Sequence, residues 1–200
     1  GSSGPMRALI MARMCAALGV PHAVELAARQ PAALPPVPFE DVGACPFEGC
    51  VYRDWTAKEA ALVRVSGRPD ARVAFRVQRG ERVTALTGVV ITTSPGRLRF
   101  RERTMLSTAS GPIEITPEDT LYLLTYQGEG FTKAWFKGRL YTDVDASAFY
   151  NARCDTRPAG CIGRIVEHWK SQWWVQIRNR SGKVGWTNQP EKFDGKDALG

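Results

Sequence analysis

At 200 residues, 44% hydrophobic and 24% charged, the chain is long enough for one large domain or two small ones. These proportions exclude wholesale disorder, a collagen, a coiled coil or a disulfide knot. The 27 Lys and Arg against 20 Asp and Glu leave a net charge of +7, which favours acidic partners such as nucleic acid, anionic lipid or an anionic cell wall.

Residues 1–37 stand apart. Gly-Ser-Ser-Gly-Pro before Met6 reads as a tag remnant. From Met6, Arg7 precedes an apolar stretch from Ala8 to Val20, broken by Arg13 and followed by small residues at Ala23, Ala27 and Ala28. That order outlines a degraded secretory signal, with a short amphipathic helix as the alternative. No run reaches the roughly 18 apolar residues of a bilayer span, so no transmembrane span is expected. Ala12, Arg13 and Met14 before Cys15 do not make a lipobox. Pro31, Pro35, Pro36 and Pro38 then impose an extended linker.

Residues 38–67 form a Cys-containing N-terminal extension. Its Cys45 and Cys50, and later Cys154 and Cys161, are two close pairs, each enclosing a Pro and a Gly that favour a turn. An even count behind a signal-like start points to disulfides and hence to a periplasmic or secreted location. All three connectivities stay open. Free thiols and a four-thiolate zinc site are the alternatives, and spacers of four and six residues suit zinc poorly. A short helix is expected over Thr56 to Val63, with Thr56 as N-cap and Glu59 at the third helical position, and another over Ala146 to Ala152.

The rest is written in period two. Val73, Phe75 and Val77 alternate with polar neighbours, and Val83, Ala85, Thr87 and Val89 do so after the turn at Gln78-Arg-Gly-Glu. Leu98 and Phe100 follow the break at Ser94-Pro-Gly. The apolar run Leu121-Tyr-Leu-Leu-Thr-Tyr reads as a strand covered on both sides, and Phe131 to Phe136 returns beside it after Gly128-Glu-Gly. Trp173, Val175 and Ile177 alternate with Trp174, Gln176 and Arg178, turn at Arg180-Ser-Gly and return through Val184 and Trp186, which predicts a hairpin. Short strands with Gly and Pro punctuation make the expected class mainly β.

The Trp-rich strand Trp173 to Ile177, the turn at Gly182 and the pair Gly185-Trp186 resemble the bacterial SH3-like (SH3b) family. Val73 to Val90 resembles the front half of such a module, and Ile115 to Leu140 echoes its order again. The resemblance implies two SH3-like barrels in tandem, at 68–108 and 112–190, with 191–200 as a tail. It also implies an aromatic groove, formed by Tyr126, Trp135 and Trp174, for an extended peptide. Trp173 and Trp186 are expected in the core.

Arg97, Arg99, Arg101 and Arg103 recur at every second residue, so one strand face carries a row of positive charge, and Arg178 and Arg180 repeat the period. A solvated, arginine-defended edge is the bland account; an anionic partner is the functional one. Phe100 is the single aromatic between Arg97 and Arg103 and lies on the other face, which disfavours nucleic acid because exposed stacking aromatics are missing. His22 and His168 are the only histidines, and no nucleophile, zinc or phosphate-loop motif is present, so no catalytic residue, metal or cofactor is expected. The expected function is non-catalytic binding of a peptide, peptidoglycan, another anionic envelope polymer or an envelope protein. Its alternatives are a hydrolase or thiol enzyme centred on Cys161 and His168, and a structural or oligomerisation module.

Overall fold

The computed structural model describes Gly1, residues 33–149, Cys154 and residues 161–200. The signal-like stretch, the start of the proline-rich segment through residue 32 and the end of the second expected helix lie outside the described residues. The fold is mainly β, with a sheet curled into a half-barrel.

Strands β1 (Phe39–Val42), β2 (Asp54–Ala57), β3 (Ala61–Arg64), β4 (Val73–Val77) and β5 (Arg82–Ser94) come first. Then follow β6 (Gly96–Phe100), β7 (Thr104–Leu106), β8 (Ile113–Ile115), β9 (Leu121–Gly128), β10 (Phe131–Phe136), β11 (Arg139–Asp145) and β12 (Gly163–Glu167). The chain ends with β13 (Lys170–Arg178), β14 (Val184–Thr187) and β15 (Phe193–Asp194). One sheet has the order β15-β2-β5-β13-β14-β3-β4, with β1 also on β5. The second has the order β11-β10-β9-β6-β12, and β7 pairs with β8.

The second sheet is inserted into the first. β5 ends at Ser94, β13 starts at Lys170, and these two residues face each other across the ladder. Strands β6 to β12 fill the interval. Each sheet has its own apolar core. Trp55, Val63, Val77, Val83, Ile177 and Phe193 belong to the first, and Leu98, Phe100, Ile115, Leu121, Leu123 and Val144 to the second.

Strand pairing therefore does not divide at residues 108–112. The front-half segment 73–90 and the Trp-rich hairpin 173–186, expected in different barrels, share one sheet and one core. Alternation marks a strand but carries nothing about which distant strand completes its ladder. The ends of the expected layout move for the same reason. Residues 38–67 contribute β1, β2 and β3, and the expected tail contributes β15, with Phe193 fully buried. No helix forms over Thr56 to Val63: Trp55, Ala57, Ala61 and Val63 are buried in strand alternation, paired to β5, β15 and β4. Tertiary ladders override the local capping signal there. The second expected helix is a 3-10 turn over Ser147–Phe149 as far as it is described.

On β5 the buried face changes part-way. Val83 and Ala85 are buried, then Gly88, Val90 and Thr92 rather than Thr87 and Val89. Opposite this point the register to β13 slips between Gln176 and Ile177, so Ala85 and Thr87 face consecutive residues and Leu86 is extra. A β-bulge inverts the alternation beyond it.

Links between the sheets are polar and specific. Thr92 Oγ1 donates to the Leu124 carbonyl at 2.8 Å. Lys133 Nζ meets Asp41 Oδ1 at 2.6 Å, with the Asp41 side chain buried. Near the first core, the Tyr52 hydroxyl donates to the Ala44 carbonyl and accepts from Trp173 Nε1 at 2.9 Å. Burial pushes the Tyr52 phenol above its usual value, with the Trp173 hydrogen bond opposing. The folded state thus holds the neutral phenol, and this contribution is complete below the unfolded pKa of about 10 and lost as pH rises through the folded value. Urea unfolding should show stability falling above about pH 10. Tyr52→Phe should cost about 1 kcal/mol at neutral pH and flatten that fall; an unchanged alkaline slope would count against the assignment.

Candidate functional site

Leu98 and Phe100 drive β6 onto the second core, so Arg97, Arg99 and Arg101 project from the opposite face, as period two requires. β12 runs antiparallel beside β6 and sets Arg164 directly opposite Arg99. The four guanidinium groups, with Phe100, Val166 and Glu167, line a cleft of about 600 Å³.

The cleft carries four cationic side chains and one acidic one. Glu167 Oε2 lies 3.5 Å from Arg97 Nη1, and both side chains are roughly half exposed. The Arg97 Nε is buried with no hydrogen-bond partner among the described residues. Arg99 Nη2 donates to the Pro117 carbonyl at 2.9 Å, which fixes its head group. Like charges directly opposite on neighbouring strands oppose pairing, so Arg99 and Arg164 create a local surplus that an anion would relieve. Planar guanidinium forks suit phosphate and carboxylate oxygens.

The arginine row is shorter and wider than the sequence implies. Arg103, past the end of β6, pairs with Glu114 Oε1 at 2.6 Å and leaves the row. Arg164 joins it. The signal for Arg164 is the alternation Gly163-Arg-Ile-Val-Glu, which marks a strand but not its pairing with β6. Arg178 is elsewhere, on the first sheet, in a separate pocket of about 240 Å³ with Arg82, Arg180 and Asp54.

The expected aromatic groove is not assembled. Trp174 is fully buried and cannot reach a ligand in this fold. It does lie on the opposite side of β13 from Val175 and Ile177, but that side is covered: a side-chain carbon added to Gly67 would stand 3.7 Å from the indole. Trp173, expected in the core, is only partly buried. Trp186 is half-buried and faces Arg64. Half-buried Trp135 donates from Nε1 to the Ala33 carbonyl at 2.8 Å. Tyr126 donates to Glu48 Oε2 at 3.1 Å, at the loop closed by the Cys45–Cys50 disulfide.

The second disulfide joins Cys154 to Cys161, so the Cys161 sulfur is not a free thiolate in this state. His168 is exposed and neighbours the Trp169 ring at 6.3 Å between centroids. Among the described residues, no group of three or more metal-ligating side chains converges, and no helix is long and apolar enough to cross a membrane. In comparisons with known proteins, the chain matches no family model, no curated protein and no solved structure.

Proposed function

We propose that the protein is a non-catalytic binding protein of an oxidising, exported compartment that holds an anionic cell-envelope polymer in the cleft of Arg97, Arg99, Arg101 and Arg164. The observation that carries this is Arg164 facing Arg99: two strands contribute guanidinium groups to one cleft that contains a single carboxylate. Two short-range disulfides support the compartment. A polymer with repeating charges suits a row whose side chains recur about every 6.7 Å along the strand. Phe100, the aromatic residue in the lining, is 4% exposed, so bases would find little to stack on, and a non-nucleic polyanion is the better ligand. With Trp174 buried, a peptide held in an aromatic groove loses its main contact.

The shared sheet and core of segments 73–90 and 173–186 support a single SH3-like barrel in place of the two in tandem that the resemblance implies. Its front half is β2 to β5, its back half β13 to β15, and the arginine-bearing sheet is an insertion at the hairpin tip between them. Val77, Val83, Val175 and Ile177 in one core support that assignment.

Protein incubated with purified cell-wall sacculi should cosediment at low salt and be released at high salt, because exposed charges are screened. A triple variant, Arg99→Glu, Arg101→Glu and Arg164→Glu, should lose at least roughly tenfold in affinity, equivalent to about 1.4 kcal/mol. Single-stranded DNA should compete weakly. Undiminished sedimentation of the triple variant would remove the cleft from the mechanism.

A further inference from the structure

A second cavity, of opposite character, lies where the disulfide loop meets the two sheets. The Cys45–Cys50 loop turns through Gly49 at positive φ and sets Phe47 edge-on to Trp173, with ring centroids 5.8 Å apart. The next residue, Glu48, reaches the turn between β9 and β10, where its Oε2 accepts from the Glu129 N–H at 2.6 Å and from the Tyr126 hydroxyl at 3.1 Å. Behind this bridge is a cavity of about 250 Å³ lined by the rings of Phe47, Tyr126 and Trp169 together with Glu48, Leu124 and Thr125. It exceeds the roughly 150 Å³ that accommodates benzene in a protein interior.

We infer that this cavity binds a small quaternary ammonium compound, held by the Phe47, Tyr126 and Trp169 rings with Glu48 as its counter-charge. Three features converge on that chemistry. First, aromatic faces attract a cation, and a quaternary ammonium is weakly hydrated enough to leave water for them. Secondly, Glu48 is in no ion pair among the described residues, so the cavity contains a carboxylate without a protein cation. The adjoining cleft of about 630 Å³ adds Asp41, Glu129 and Asp143, and its lysine, Lys133, is already held by Asp41. Thirdly, Thr125 lines the cavity, is 2% exposed, and has an Oγ1 with no hydrogen-bond partner among the described residues. A buried, unmatched hydroxyl is costly, and a bound molecule with a polar end would satisfy it. A hard metal ion needs several oxygen ligands at once, whereas this lining offers one carboxylate. The arginine cleft would repel the same ligand, so the two sites are separable by charge.

The probe is choline, compared with its uncharged carbon isostere 3,3-dimethylbutan-1-ol, each titrated into the full chain with tryptophan fluorescence and calorimetry as readouts. Choline should bind saturably in the millimolar range and about tenfold more tightly than the isostere, the scale of a desolvated cation–π contact. Glu48→Gln keeps an oxygen acceptor for Glu129 and Tyr126, and should remove most of choline's advantage while leaving the isostere unchanged. Trp169→Leu should weaken choline more than the isostere. Equal affinity of the wild-type protein for the two molecules, or no binding of either, would overturn the proposal without relying on any variant. Undiminished choline binding by Glu48→Gln would overturn Glu48's part in it. None of these outcomes bears on sedimentation with sacculi, so the two sites can fail independently.

Discussion

Trp55→Ala is expected to cost about 3–5 kcal/mol of unfolding free energy, a large share of the 5–15 kcal/mol typical of a folded domain. Trp55 is 1% exposed and joins parts of the chain that are remote in sequence. Its ring is 5.8 Å from Trp173 on β13, 6.0 Å from Phe193 on β15 and 6.3 Å from Tyr52, where the planes are nearly stacked. Its Nε1 donates to the Val51 carbonyl at 3.2 Å, so the indole is satisfied as well as packed. Alanine leaves a ring-sized cavity among side chains from three strands, and edge and stacked ring contacts are lost beyond the buried area. Denaturant titration followed by near-ultraviolet circular dichroism reads the effect. A loss smaller than about 1 kcal/mol would mean that the first core is not organised around this residue.

Which features were legible follows from how local their causes are. The strands around Val73 to Val77, Leu121 to Tyr126 and Trp173 to Trp186 are visible because side-chain alternation and Gly or Pro punctuation are local properties. The common face of Arg97, Arg99 and Arg101 is visible for the same reason, since Leu98 and Phe100 between them fix the inward side. Arg164 is not, because its place depends on β12 choosing β6 as a neighbour. Nor is the burial of Trp174, whose indole lies against Gly67, more than a hundred positions earlier in the chain. Thr56 with Glu59 is a genuine local helix-start signal, overruled by ladders from β5, β15 and β4. The change of buried face on β5 comes from one extra residue at Leu86, which no count of alternating hydrophobics locates in advance. Sequence therefore identified pieces of the half-barrel but assigned its two halves to different modules.

Excising residues 95–169 and joining Ser94 to Lys170 through an Asn-Gly turn is expected to leave a folded protein with a cooperative unfolding transition. Ser94 and Lys170 already face each other as the last pair of an antiparallel ladder, and Asn-Gly suits the twist of a two-residue hairpin. The first core loses none of its principal members: Trp55, Val63, Val77, Val83, Ile177 and Phe193 all lie outside the excised segment. Shortening the connection also lowers the entropy lost in closing it. Against this stand the loss of the Lys133 partner of Asp41 and of the Thr92 bond to Leu124, and the exposure of Val90, which was covered from the second sheet's side. The shortened chain should thus be less stable than the parent but keep the near-ultraviolet signal of its tryptophan cluster. It should also lose sacculus binding altogether, because every arginine of the cleft has gone. Fragments 68–108 and 112–190 make the opposing comparison. The first lacks the β13 partner of β5 and the second lacks β5, so neither should fold alone. A cooperative transition in either fragment, or its absence from the excised chain, would show that the two sheets do not separate where the chain leaves and rejoins the hairpin.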